Sequence, residues 1–215
     1  MAKAPVAGQV KTRLVPPLSH EQAAELSAAL LRDLLRHLHG LNGAKRYLFF
    51  APDDAHASMS ELAGGEFELV AQRGDDLGAR MQAVFAELWG RGHRRIALVG
   101  ADLPVFPLSF LDQAFAGLDI PDARVVLGPS RDGGYYLIGM NRALPEIFAG
   151  MTWSHEKVLS DTLAKLGSLK IDALQLPPWF DVDRPEDLAA LGRRLRDNDR
   201  GMKSTVAVLR AWDFY

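Results

Sequence analysis

The chain has 215 residues, 48% hydrophobic and 24% charged, with 25 Lys and Arg against 27 Asp and Glu for a formal net charge of −2. That is a globular composition whose near-neutral charge gives no electrostatic reason to bind nucleic acid, and the aromatics are not interleaved with a basic stripe. The absence of Cys excludes disulfides, thiolate zinc sites and cysteine nucleophiles and fits a reducing compartment. The apolar runs 47–51 and 96–99 fall short of the roughly 18 residues a membrane span needs. The first 20 residues lack a signal-peptide h-region. A cytoplasmic protein with no membrane partner is expected. At this length a single α/β domain over 1–200 is the default.

In chain order, Met1, Ala2, Lys3, Ala4 and Pro5 are already loop-like, so the central strand that usually opens an α/β domain is missing. Segment 3–14, KAPVAGQVKTRL, carries Lys3, Lys11 and Arg13 around a flexible Gly8. A loop exposing backbone N–H groups with a Lys point charge and an Arg fork suits phosphate. Val10 before Lys11 rules out a Walker A loop, and a solvated basic turn is the plainer alternative. Over 20–39, Ala23, Leu26, Leu30, Leu31, Leu34, Leu35 and Leu38 recur at helical spacing between an N-cap Ser19 and Gly40.

Segments 45–51, 67–71, 96–100, 124–128 and 169–176 are short apolar runs of the kind buried strands show. Helical patterns lie at 76–89, 107–116, 154–166 and 185–196. Strands alternating with helices predict a mostly parallel sheet covered on both faces, with ligands at the carboxyl ends of its strands. In QRGDDLGARM, 72–81, Gln72 and Gly74 sit in a loop where Gln72 could hydrogen-bond a base or ribose; a capped helix start competes.

The strand in IALVGADLP, 96–104, ends at Asp102 just before Pro104. A carboxylate there is a hard oxygen ligand of the type Mg²⁺ or Mn²⁺ prefers, or else a cap or Asx turn. GPSRDGGYYLIG, 128–139, sets Asp132, Gly133 and Gly134 in a tight turn. There the backbone could approach a ligand, or an Asp-Gly hairpin could join 124–128 to 135–140. WFDVDRPEDL, 179–188, adds Asp181 and Asp183, of which one could hold metal and one cap the helix begun by Pro185. The six histidines lack ligand spacing, and Ser154, His155 and Glu156 read as a capping segment rather than a triad.

Taken in this order, KAPVAGQVKTRL, QRGDDLGARM, GADLP, GPSRDGGYYLIGM and FDVDRPEDL resemble a bacterial family of small glycosyltransferases of the radical-SAM/selenodomain-associated type. That family is a compact relative of the nucleotide-diphospho-sugar transferase (GT-A) superfamily, which also holds the molybdenum-cofactor and coenzyme F420 guanylyltransferases. The resemblance covers about residues 1–195. It implies a Rossmann-like three-layer α/β/α sandwich, a nucleotide or nucleotide-sugar ligand, a small-molecule acceptor and a divalent Mg²⁺ or Mn²⁺. Lys3, Gly8, Lys11 and Arg13 match its phosphate loop and Asp102 its metal-binding acid. Asp181 and Asp183 stand where the guanylyltransferases supply a second metal contact.

The implied reaction is metal-dependent glycosyl transfer. Nucleotidyl transfer with loss of pyrophosphate, or an inactive nucleotide-binding module, are the competing readings. The tail 203–212, KSTVAVLRAW, follows a polar connector over 198–203 and is β-branched and apolar at Thr205, Val206 and Val208. It is expected to form a strand over 204–210 that replaces the missing first strand, either in its own sheet or, as a swapped homo-oligomer, in a neighbour's.

Overall fold

In the computed structural model, residues 1–197 and 201–213 are described. Part of the 198–203 connector therefore lies outside the described residues. The fold class is α/β and Rossmann-like, with helices and strands alternating along the chain. Where the sequence reads as one domain over 1–200, the structure divides into two compact units. The first comprises Met1–Ala71, Ala101–Val105 and Asp181–Tyr215, and the second Gln72–Gly100 and Phe106–Phe180. Among the described residues, no helix is long and apolar enough to cross a membrane.

The first unit is built on a three-stranded parallel sheet in the order β1-β2-β3, with β1 at Ala2–Lys3, β2 at Tyr47–Ala51 and β3 at Glu68–Ala71. Leu48, Phe49 and Phe50 of β2 are consecutive and all buried, as a strand covered on both faces requires. Helix α1, His20–Leu38, begins where the sequence places it. The Ser19 hydroxyl accepts from the Gln22 N–H at 3.1 Å, and the Gln22 side chain accepts from the Ser19 N–H at 2.9 Å, a reciprocal capping box. Leu31 and Leu35 of α1 join Ala2, Ala4, Leu48 and Phe50 in one core cluster with Met59, Ala63 and Phe67. Met59 and Ala63 belong to α2, His56–Ala63, a helix absent from the sequence reading because eight residues give too few periodic positions to register.

Two expectations are corrected here. The opening strand exists: Ala2 pairs with Phe50 and Lys3 with Ala51, and the Ala4 N–H donates to the Ala51 carbonyl at 2.7 Å. The tail is not a strand but helix α7, Lys203–Ala211. Met202, Thr205, Val206 and Leu209 are its buried positions. Their i, i+3, i+4, i+7 spacing makes one helical face.

What selects helix over strand is a tertiary cap. Met202 at the N-cap offers no side-chain hydrogen bond. Instead the fully buried Asp33 carboxylate on α1 accepts from the N–H of Ser204 at 3.0 Å, the N–H of Thr205 at 2.8 Å and the Thr205 hydroxyl at 2.9 Å. A carboxylate at a helix N-terminus satisfies orphan donors and meets the positive end of the dipole. With no strand at 204–210, a strand swap through this segment has nothing to exchange.

The second unit carries the four-stranded sheet β4-β6-β5-β7, with β4 at Ile96–Val99, β5 at Arg124–Pro129, β6 at Tyr135–Met140 and β7 at Asp172–Gln175. β6 runs antiparallel to both β4 and β5, while β5 and β7 are parallel. The antiparallel strand is the hairpin that the Asp-Gly turn allows. Helices α3 (Leu77–Gly90), α4 (Leu108–Leu118) and α5 (Val158–Ser168) follow in sequence, and α6 (Pro185–Asp197) returns to the first unit. Ahead of α5, His155 does form part of the turn: its Nδ1 accepts from the Lys157 N–H at 3.2 Å.

Replacing Asp33 by Ala strands the buried Thr205 N–H and hydroxyl and the half-buried Ser204 N–H. It is expected to lower unfolding free energy by about 2–4 kcal/mol in urea titration, with Asp33→Asn, which keeps one acceptor, falling between. Removing 202–215 uncovers the same face of α1 and is expected to abolish soluble folded protein, read by expression and size-exclusion chromatography.

Candidate functional site

The site is assembled in the first unit from three segments far apart in sequence. After β1 the chain turns through Val6 and Gly8, with the Gln9 N–H donating to the Val6 carbonyl at 3.0 Å and Gly8 at φ +78°. Val10 and Leu14 are buried on either side of Lys11. The Leu14 N–H donates to the Lys11 carbonyl at 2.9 Å and closes a single 3-10 turn over Thr12–Leu14. Lys11 itself takes the left-handed conformation, φ +49°, which for a non-glycine residue is uncommon and mildly strained.

This backbone sends the Lys11 side chain inward, where only 1% of it is exposed. Three oxygens receive its ammonium: the Asp102 carbonyl at 2.9 Å, Asp102 Oδ1 at 3.1 Å and Asp183 Oδ1 at 3.1 Å. An ammonium has three N–H donors, so its hydrogen-bonding capacity is matched. Burial alone would pull the Lys11 pKa down; the Asp102 charge, then that of Asp183, outweighs it and holds the value above the usual 10.5. The expectation of Lys11 as an open phosphate ligand is therefore not what the geometry presents. Arg13, with 66% of its side chain exposed and Nη1 4.0 Å from Asp183 Oδ2, is the open cation of the loop.

The carboxylates face the other way. The Asp102 side chain is 69% exposed and that of Asp183 40%, so the cation lies inside and the anions reach outward. Asp102 follows β4 on a segment pinned by buried Leu103 and Val105. It does not cap α4, whose N-cap is Pro107 without a side-chain bond. Asp183 follows fully buried Val182, whose N–H donates to the Asp102 carbonyl at 3.3 Å. Asp187, in the first turn of α6, accepts from the N–H groups of Asp183 at 3.1 Å and Arg184 at 2.9 Å just ahead of the helix. Asp187 thus orients the Asp183 backbone, and its signal was present as an acid two residues beyond a helix-opening Pro.

Among the described residues, no three His, Cys, Asp or Glu side chains group as a metal centre, so Asp102, Asp181 and Asp183 do not make a preassembled three-carboxylate cage. Two outward carboxylates nevertheless fit the donor chemistry of Mg²⁺ or Mn²⁺, which is held by one or two carboxylates, waters and substrate phosphates. Lys3 is exposed on β1 at the start of the same loop.

The remaining candidates belong to the second unit and are described within it. Gln72 precedes the loop of Gly74, whose φ of +123° and lack of a side chain let it lie against the first turn of α3; a Cβ there would meet the Ala79 and Arg80 backbone at 2.8 Å. Asp76 caps that helix, accepting from the Ala79 N–H at 2.8 Å. Asp132 accepts from the Gly134 N–H at 3.0 Å in the β5–β6 turn. Gly133, φ +90°, lies where a Cβ would fall 1.8 Å from the Glu156 carbonyl oxygen. Close backbone packing therefore accounts for Gly74 and Gly133 without a ligand.

The chain belongs to the bacterial family described as an uncharacterized protein conserved in bacteria (DUF2064), whose model matches residues 34–155. It is 34% identical to a Desulfovibrio desulfuricans G20 protein whose crystal structure is described as that of a "putative nucleotide-diphospho-sugar transferase". The similarity covers 98% of this chain and 92% of that one, with a TM-score of 0.89. The fold is shared at 12% identity with a 4-diphosphocytidyl-2C-methyl-D-erythritol synthase, at a TM-score of 0.56 over 88% of this chain and 94% of that one. It is shared at 14% identity with the inositol-1-phosphate CTP transferase of T. maritima, at a TM-score of 0.50 over 97% and 95%. No curated protein matches the sequence.

Lys11→Met leaves two carboxylates without their common counter-charge. Because both remain partly solvated, the expected loss is about 1–3 kcal/mol in urea titration, below that of a fully enclosed pair. Since the folded ammonium titrates above 10.5, its contribution is complete below that pH and fades as pH rises through the folded value. The stability gap between wild type and Lys11→Met should therefore stay level from neutral pH to about 10 and narrow only above it.

Proposed function

We propose that this chain is a transferase acting on a nucleotide-activated substrate, and more finely a metal-dependent glycosyltransferase that takes a nucleotide-sugar donor and a small-molecule acceptor. The observation that carries the reading is the convergence of Lys11, Asp102 and Asp183 beside an exposed Arg13. Similarity to a 34%-identical relative whose crystal structure is described as that of a "putative nucleotide-diphospho-sugar transferase" supports it.

In this reading the outward oxygens of Asp102 and Asp183 hold Mg²⁺ or Mn²⁺, with Asp181 next to them in sequence as a further candidate ligand. The bound ion would polarise the donor's phosphate oxygens. Arg13 presents a planar fork to the same phosphates, and Lys3 and the turn at Gly8 supply further positive charge and backbone N–H groups. Asp187 fixes the segment that presents Asp183. The contribution to rate is electrostatic: charge building on the leaving diphosphate meets cations already in place.

A thermal-shift panel of nucleoside triphosphates and nucleotide-sugars, with and without Mn²⁺, tests this, because a ligand bound to the native state raises the melting temperature by mass action. A metal-dependent shift with a nucleotide-sugar is expected. Asp102→Asn should remove that metal dependence; because it also takes one of the two counter-charges from buried Lys11, it should lower the unliganded melting temperature, and ligand shifts are read against the variant's own unliganded curve. Arg13→Lys keeps the charge but loses the fork, and should weaken binding by about 1 kcal/mol, several-fold. Turnover releasing a nucleoside diphosphate supports glycosyl transfer, whereas pyrophosphate release from a triphosphate would replace it with nucleotidyl transfer. No shift with any ligand would sink the reading.

A further inference from the structure

Lys11 sits in the wrong place to be a phosphate ligand. Its side chain is 1% exposed, and its ammonium is surrounded by the Asp102 carbonyl, Asp102 Oδ1 and Asp183 Oδ1 at 2.9–3.1 Å. Buried Val10 and Leu14 and the closed turn after Lys11 hold its backbone. A phosphate reaching this ammonium would have to displace a carboxylate of the same sign from a contact already made. The two carboxylates, by contrast, are reachable from solvent and already share a cation.

We propose that Lys11 is a positioning residue, the resident counter-ion of the Asp102–Asp183 pair, so that this pair admits a divalent cation only together with an anionic polyphosphate. This rests on the reading of the site as one that binds metal and phosphate. The charges decide it. Within the ion-paired cluster itself, Lys11 and Arg13 face Asp102 and Asp183, two positive charges against two negative. A bare divalent cation adds two uncompensated positive charges beside an ammonium already enclosed by the same carboxylates. A cation chelated by a diphosphate diester, which carries about two negative charges, arrives neutral and preserves the balance. A triphosphate chelate arrives with surplus negative charge. The ammonium therefore favours a diphosphate-linked donor and keeps the unliganded pair from binding adventitious metal.

The test needs no nucleotide. Mn²⁺ alone is titrated into the full chain, and free aqueous Mn²⁺ is followed by electron paramagnetic resonance. Wild type is expected to leave the free signal almost unchanged at millimolar metal. Lys11→Met, which removes the charge and keeps an unbranched chain, is expected to bind Mn²⁺ at least about tenfold more tightly, a gain that a merely structural lysine would not produce. Adding Asp183→Asn to that variant should abolish the gain, and Lys11→Arg should exclude the metal as wild type does.

Tight binding of bare Mn²⁺ by the unmutated chain overturns the proposal whether or not Lys11→Met folds. A folded Lys11→Met that gains nothing overturns it too. If the Mn²⁺ pattern holds while the nucleotide panel stays silent, the counter-ion role stands and the transferase reading fails. If nucleotide-sugars shift melting while wild type also binds bare Mn²⁺ tightly, only the counter-ion role is lost.

Discussion

An ammonium can be buried only if oxygen atoms replace its water, and in this chain the requirement falls on Lys11. Desolvating a cation costs several kcal/mol unless the geometry repays it. Here two carboxylates and one carbonyl do so within 3.1 Å. Meeting that demand ties three segments together. The loop after β1 supplies the cation from a left-handed backbone position, the segment after β4 supplies Asp102 twice, and the segment before α6 supplies Asp183. Asp187 in turn holds the backbone that carries Asp183. The loop is thus an ordered element of the first unit rather than a solvated basic turn.

The asymmetry of exposure gives the arrangement its chemical character. A cation inside with anions outside presents carboxylate oxygens whose charge is already partly offset, with Arg13 alongside. On the counter-ion proposal, such a surface suits a mixed ligand carrying both signs better than a bare cation. Close-packed glycines elsewhere have a plainer basis. Gly74 and Gly133 are required by neighbouring backbone within van der Waals distance, so the presence of glycine in a motif is weaker support for a ligand than the fate of a buried charge.

The second buried ionic group obeys the same rule with a different outcome. Asp33 has no exposed surface and is satisfied by the Arg36 guanidinium at 3.2 Å and by the N-terminal donors of α7. Here the paired groups are structural. A carboxylate on one helix dictates where another begins, and the tail is committed to α1 rather than to a sheet.

Much of the architecture is legible locally. The α/β alternation, the capped helix α1 and the β5–β6 hairpin follow from periodicity and turn chemistry acting over a few residues. The residues of the site were also legible one by one, because Lys11, Asp102 and Asp183 each stand at a break in an apolar pattern. Their relationship was not. Lys11 meets Asp102 and Asp183 across separations of 91 and 172 residues, and no local pattern reports which charge will be enclosed and which left in water. The tail makes the same point. The run at 204–209 satisfies a strand's preference for β-branched residues and a helix's spacing at once, and propensity is too weak to choose. Asp33, 171 residues away from Ser204, makes the choice by offering hydrogen bonds that only a helix N-terminus can use. The sequence by itself determined the elements and the chemical inventory, whereas the tertiary structure decided which charges are buried together, since desolvation is set by the whole fold and not by neighbours in the chain.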